Sequence, residues 1–159
     1  MAAVGRLGGI ARHDRPHGPI ETLGRVAVTA AEGVHGDIRG AVASTKRTRK
    51  RQVSLIEAES WAAALDDLGL AGHDRLPWHA RRANLLVEGL RLPREAGKVI
   101  VIGATLRIEI MVETDPCERM DALVQGLRAA LTPDWRGGLC GRVLTDGEIA
   151  VGDEVRIEE

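Results

Sequence analysis

The chain has 159 residues, 44% of them hydrophobic and 28% charged, with a net charge of −1. That length lets one domain bury its own core, while the longest apolar runs, such as "VIVIGA" (99–104), fall far short of the roughly 20 residues that span a bilayer. With no apolar leader at the start, a single cytoplasmic domain over 1–159 with no membrane contact is expected.

Residues 1–20 carry Gly, Arg, His and Pro without periodicity, which predicts disorder over 1–9 or a loop-rich first strand around "GGIARHD". "LGRVAVTA" (23–30) is β-prone, and "EGVHGDIRG" (32–40), punctuated by Gly33, Gly36 and Gly40, reads as a turn. In "QVSLIEAESWAAALDDLGLAG", Val53 and Leu55 alternate as in a strand, then Trp61, Ala64, Leu65 and Leu68 recur at helical spacing. Ser54 and Glu57 match a capping box, and Gly69 fits a helix stop.

Three further strands follow in "ANLLVEGL", "KVIVIGA" and "TLRIEIMVET". The last puts Leu106, Ile108, Ile110 and Val112 on one face and Arg107, Glu109, Met111 and Glu113 on the other, as a sheet with one wet side requires. Asp115 as N-cap, Pro116 at the first helical position and Glu118 at the third start a helix. Its apolar face is Met120, Leu123, Val124, Leu127 and Leu131, and Pro133 stops it. The tail "CGRVLTDGEIAVGDEVRIEE" reads as a hairpin and a closing strand. Seven or eight short strands, too closely spaced for repeated crossovers, predict a mainly β fold: a mostly antiparallel β-barrel with two or so appended helices.

Phe and Tyr are absent and Trp61, Trp78 and Trp135 are the only aromatics, so the core must be Leu, Val, Ile and Ala. Residues 1–51 hold ten Lys/Arg against four Asp/Glu, which directs any anion site to this third of the chain. Cys117 falls where the alternating pattern gives way to the helical one. In a first turn its sulfur would meet unpaired N–H groups and a positive dipole end, conditions that favour the ionised, nucleophilic form. Asp115 and Glu118 oppose that charge and Arg119 assists it, and the alternative is a small buried hydrophobe. Cys140, beginning an apolar run, reads as packing, and with no export signal both cysteines are expected as free thiols.

The run "KRTRKR" (46–51) concentrates Lys46, Arg47, Arg49, Lys50 and Arg51, a density that attracts phosphate or forms a solvated loop. With no aromatic in the run, nucleic acid is the weaker partner. Arg51 and Arg82, at the starts of the strand-like runs "QVSLI" and "ANLLVEG", have the paired donors that suit phosphate, or an ion pair at a barrel rim. Asn84 could meet a polar ligand edge or cap a turn, and His35 and Asp37 sit beside glycines that let backbone approach a ligand or simply turn. His13 and His17 stand four apart with Pro16 between them, so no zinc site is expected.

The segments "GVHGDIRG" (33–40), "RQVSLIEAES" (51–60), "RANLLVEGL" (82–90), "IGATLRIEIMVETDPCERM" (102–120) and "GRVLTDGEIAVGDEV" (141–155) resemble, in order and spacing, the MOSC family, the domain found at the C-terminus of molybdenum cofactor sulfurases. The resemblance covers about residues 10 to 157 and implies a β-barrel with appended helices. It implies that Cys117 is the signature cysteine, carrying sulfur as a persulfide or contacting a molybdenum cofactor, as a metal ligand if molybdenum is bound. Lys50, Arg51, Arg82, Asn84, Arg119, His35 and Asp37 are then the candidate cofactor contacts. Pyridoxal phosphate would belong to a partner cysteine desulfurase, with a molybdoenzyme as the other partner, and the chain would be a stand-alone version of the domain. Two other readings stay open: a molybdenum-dependent oxidoreductase acting on N-hydroxylated compounds, and a non-catalytic module binding anions or nucleic acid.

Overall fold

The computed structural model describes residues 3–70 and 75–159. Its strands are β1 (Val4–Arg12), β2 (Glu21–Leu23), β3 (Arg25–Thr29), β4 (Gly33–Val34), β5 (Val53–Glu57), β6 (Leu85–Glu88), β7 (Val99–Ile102), β8 (Leu106–Glu113), β9 (Leu139–Thr145), β10 (Gly147–Ala150) and β11 (Glu154–Ile157). The helices are α1 (Ile38–Ser44), α2 (Ala58–Asp67), α3 (Glu118–Leu123) and α4 (Leu127–Leu131), with 3-10 turns at Trp78–Arg81 and Pro133–Trp135. Seven strands close a barrel in the order β11-β7-β8-β9-β5-β6-β1, and β1 returns to β11. A second sheet, β10-β3-β4, packs beside it. The mainly β barrel expected from the sequence is what forms. Its pairing is mixed, because β5 and β6 run parallel, joined through α2, while the other pairs are antiparallel.

β5 is buried along its whole length because both its faces are covered. Val53 and Leu55 point into the barrel with Leu7, Ile10, Leu85 and Ile108, whereas Ile56 points outward under Trp61, Leu65, Leu127 and Leu131 of α2 and α4. On β8, Leu106, Ile108 and Ile110 are fully buried and their alternates are not, in keeping with the one wet face read from the sequence.

Four local expectations are corrected. Of the two alternatives for the start, the first strand is what forms, and residues 4–9 belong to it rather than being disordered: Val4–Arg12 is the longest strand, which accepts three neighbours because glycines permit close approach. A Cβ on Gly5 would stand 2.6 Å from Glu88 O, and one on Gly9 would stand 2.6 Å from the Trp78 ring. Ser54 is not a cap but lies within β5, and Glu57 occupies the N-cap of α2 without a side-chain capping bond. The helix after Cys117 is broken in two at Val124 because the Asp121 carboxylate accepts from Gly126 N and Arg128 N, each at 3.1 Å, and so caps α4 separately. In the tail, β10 does not hairpin with β9 but pairs with β3, Gly147 lying where a Cβ would come 2.7 Å from Leu106 N.

Glu57 ends β5 with its carboxylate buried, accepting from Ser60 Oγ at 2.7 Å, Leu92 N at 2.6 Å and Arg94 Nη2 at 3.0 Å. Burial alone would raise its pKa, and these bonds outweigh it, holding the carboxyl below its ordinary 4.5. Replacing Glu57 with Ala strands the Arg94 charge, and urea melts at neutral pH should show about 3 kcal/mol less stability. The difference should shrink as pH falls from 4.5 through the lowered native value, because a depressed carboxylate stabilises only while ionised.

Candidate functional site

At one end of the barrel, α1, the 45–52 loop, the segment after β1 and the turn before β6 surround a cleft of about 570 Å³. Each wall is fixed by bonds to the frame. Asp37, buried and extended at the N-cap of α1, accepts from Gly40 N at 3.0 Å and from His13 N at 3.2 Å, which ties the helix to the end of β1 and presents Arg39 in its first turn. Buried Gln52 spans two elements, its Nε2 donating to Ala30 O at 2.8 Å and its Oε1 accepting from Val143 N at 2.9 Å.

Arg49 turns inward with a left-handed φ of 50° and donates through Nη1 to Ala30 O at 3.0 Å and Val143 O at 3.1 Å. The basic run is thereby divided. Arg49 serves the fold, while Lys46, Lys50 and Arg51 line the cleft with Thr48. Arg82, left-handed at φ 67° after the 3-10 turn, donates to Gly18 O at 2.8 Å, and Arg119 Nη2 lies 3.2 Å from His17 Nε2.

Six cations line this cleft, Arg39, Lys46, Lys50, Arg51, Arg82 and Arg119, together with His13 and His17. Among its described lining there is no Asp or Glu, and Ile38, Val42, Ala43 and Pro16 give it an apolar floor. Burial lowers the pKa of Arg82, and repulsion from Arg39 and Arg119 lowers it further. Such a concave, apolar-floored, acid-free surface is suited to an anion of small-molecule size.

Cys117 is half-buried and free, and it is itself the N-cap of α3, one position before the helix. The expected arrangement, with Asp115 as cap and Cys117 in the first turn, is corrected: Cys117 is extended, residues 114–117 lie between β8 and the helix, and α3 starts only at Glu118. Cys117 is not in the cleft wall, but Arg119, two residues on, is. Three residues before Cys117, Thr114 O accepts at 3.0 Å from Nη2 of Arg81, a buried guanidinium. Burial lowers the pKa of Arg81, while charge on Cys117 and Cys140 would act to raise it.

Of the residues singled out in the sequence, Lys50, Arg51, Arg82 and Arg119 meet in the cleft, and Cys117 lies outside its lining. Asn84 is committed to the frame: its Oδ1 accepts from Ser54 N at 3.0 Å and its Nδ2 donates to Ala11 O at 3.1 Å. His35 is exposed, 2.8 Å from Glu32 Oε1, and lines a separate hollow with Arg12 and Glu21. Asp37 is the α1 cap described above. Sequence reasoning missed Arg39, Arg81, His13 and His17. The signal for Arg39 was a cation in the first turn after a capping Asp; His13 and His17 were considered only as zinc ligands, and nothing local marked Arg81. Among the described residues no three His, Cys, Asp or Glu side chains cluster as a metal site, and no helix is long and apolar enough to cross a membrane.

The sequence profile of the MOSC domain matches residues 27–156. The chain belongs to the MOSC domain family. Solved structures share the MOSC fold described above. YuaD from Bacillus subtilis superposes with a TM-score of 0.78 at 18% identity, over 97% of this chain and 95% of its own. YiiM from Escherichia coli gives 0.66 at 14% identity over 97% of this chain and 70% of its own, and YiiM from Geobacillus stearothermophilus 0.63 at 17% over 98% and 73%. No curated protein sequence matches the chain. MOSC domains are associated with molybdenum-cofactor proteins.

His13, buried where the cleft meets β1, has its pKa lowered below 6.5 by burial first, then by Arg82 and Arg39, against the opposing pull of Asp37 and Asp14. The unfolded chain takes up this proton before the native one does, so acid favours unfolding. Thermal melts should show the MOSC domain losing stability as pH falls below 6.5, and His13→Gln should flatten that part of the profile.

Proposed function

We propose that this MOSC domain is a sulfur carrier for molybdenum-cofactor chemistry, with Cys117 holding sulfane sulfur as a persulfide and the cationic cleft orienting an anionic pterin or acceptor. The observation that supports it most is the cleft itself, six cations without a described acid, one of which, Arg119, stands two residues after the partly exposed Cys117. Arg51 and Arg82 would grip a phosphate through paired guanidinium donors, Lys46 and Lys50 would add charge, and Ile38 and Val42 would face the apolar part of a pterin. When bound, the molybdenum cofactor would supply redox chemistry at its metal. No aromatic side chain lines the described walls, which favours a compact anion over stacked bases.

The sulfur step needs no external oxidant. The Cys117 thiolate attacks the outer sulfur of a donor persulfide; a new S–S bond forms at Cys117 as the donor's S–S bond breaks. The donor leaves as a thiol with the proton, and the terminal sulfur on Cys117 keeps the negative charge. A cysteine desulfurase, which would carry the pyridoxal phosphate, is the proposed donor. α3 has only six residues, so its dipole is weak and the counter-charge comes from arginine side chains.

Incubating the protein with a cysteine desulfurase and L-cysteine should add the mass of one sulfur atom, retained in Cys140→Ser and absent in Cys117→Ser. An unmodified wild-type protein would overturn the carrier reading. Calorimetry with pyrophosphate should show binding that weakens with salt and falls about tenfold in Arg51→Ala and in Arg82→Ala, since one charge-assisted bond contributes about 1.5 kcal/mol. Unchanged affinity in both variants would place the anion elsewhere.

A further inference from the structure

Arg81 closes the 3-10 turn before β6 and is only 8% exposed. Its Nη2 is fixed to Thr114 O, yet its Nε is the one buried side-chain nitrogen or oxygen among the described residues that has no hydrogen-bond partner. Nor does Arg81 form an ion pair with any described carboxylate. Arg94, also largely buried, shows the contrast, since it is paired with Glu57. A buried cation without a counter-charge costs several kcal/mol, so a position like this calls for an anion.

The surroundings restrict what that anion can be. Arg81 shares a small cavity with Arg39, Arg82, Ser54, Thr114 and Gly137, adjoining the large cleft through the two arginines common to both. Its volume of about 10 Å³ is that of a single water-sized guest. Gly137 keeps this wall open, because a Cβ there would lie 2.6 Å from Thr114 O, 3.2 Å from Arg81 Nη2 and 3.5 Å from Pro116 Cδ. Cys117 does not itself line this cavity, but its segment adjoins Arg81: Arg81 Nη2 is bonded to Thr114 O, three residues before Cys117, and the open face of Gly137 borders both Arg81 Nη2 and the Cδ of Pro116, the residue before Cys117. Burial lowers the pKa of Arg81, and charge on Cys117 and Cys140 acts against that, with Arg39 opposing. Cys140 is 1% exposed, its Sγ 3.2 Å from Thr114 Oγ1, and so is closed to a donor; Cys117 is partly exposed.

We infer that Arg81 is a positioning residue for a sulfur anion: the negatively charged terminal sulfur carried by Cys117 rests against the unpartnered guanidinium edge of Arg81. This rests on the carrier reading and adds to it where the carried atom is held. The guest is one atom in size, soft and singly charged, and it enters on the chain's own cysteine, which is why a cavity too small for phosphate suffices. The large cleft then serves the acceptor, with Arg39 and Arg82 at the boundary where the sulfur is passed on.

The test loads wild type, Arg81→Gln and Arg81→Lys with sulfane sulfur from inorganic polysulfide, verifies one added sulfur on Cys117 by mass, and titrates the persulfide by its near-ultraviolet absorbance. An opposite charge within contact range shifts an ionisation by about one unit or more. The persulfide of Arg81→Gln should therefore lose its anionic signature at a pH about one unit higher than wild type, and Arg81→Lys should restore most of the difference. An unmoved midpoint in a loaded Arg81→Gln overturns the inference and leaves the carrier reading standing, whereas a wild-type protein that takes up no sulfur removes both. Because Arg81→Gln removes an uncompensated buried charge, its thermal midpoint should match or exceed that of wild type. A marked drop would assign Arg81 to the fold instead and overturn the inference.

Discussion

Barrel closure at β1 is the constraint from which the rest of the molecule follows. An open seven-stranded sheet would leave two unpaired edges, and here one strand removes both. β1 pairs through Arg6–Ile10 with β6 on one side; on the other it meets β11 through Val4–Arg6 and β2 through Ile10–Arg12. The change of partner is accommodated by a bulge between Leu7 and Gly9, where Gly5, Gly8 and Gly9 let neighbouring backbone and the Trp78 ring approach more closely than any side chain would allow.

Closure also determines where chemistry can occur. Once β1, β5 and β6 are adjacent, Asn84 binds all three together through Ala11 O, Ser54 N and Ser54 Oγ, so the residues just before it have a fixed exit from the barrel. Arg81 and Arg82 are those residues. Arg82 needs a left-handed backbone to turn into β6, and its side chain is directed outward to the cleft while Arg81 is enclosed. The 45–52 loop is held by the inward-facing Arg49 and Gln52, which frees its other cations to line the same opening. The cleft thus assembles from segments far apart in sequence because a few side chains are given over to anchoring the backbone.

Those anchors explain what the sequence disclosed and what it did not. The alternation of β8 and the stop at Gly69 were legible because they are local: Gly69 N and Leu70 N bond back to Asp66 O and Leu65 O, a pattern a single glycine permits. The location of Cys117 at a strand-to-helix junction was legible for the same reason, though its offset by one from the helix was not, since proline suits an extended run as well as a first turn. β1 was legible only as one of two alternatives, because the glycines that let it pair on both sides are the residues that otherwise signal loops. Asp121 interrupting a helical pattern, β10 crossing to β3, and Asn84 and Asp37 serving the frame all depend on partners remote in sequence. Arg81 was least visible of all: a second arginine beside a family-like one carries no mark of being buried.

Crowding of like charge gives the site its direction. Six cations around about 570 Å³ repel one another, and the Arg82 pKa, lowered first by burial, is lowered further by Arg39 and Arg119. The anchoring bonds to Gly18 O, Ala30 O and Val143 O hold several of these groups or their loop in place against that repulsion. An anion entering the cleft removes repulsion as well as adding attraction, so it stabilises the folded state, and its affinity and the protein's stability are coupled. Salt screens the exposed rim far more than an enclosed guanidinium. Outer contacts should accordingly set how readily an acceptor arrives, whereas the charge at Arg81 keeps its strength where a sulfur atom would be exchanged.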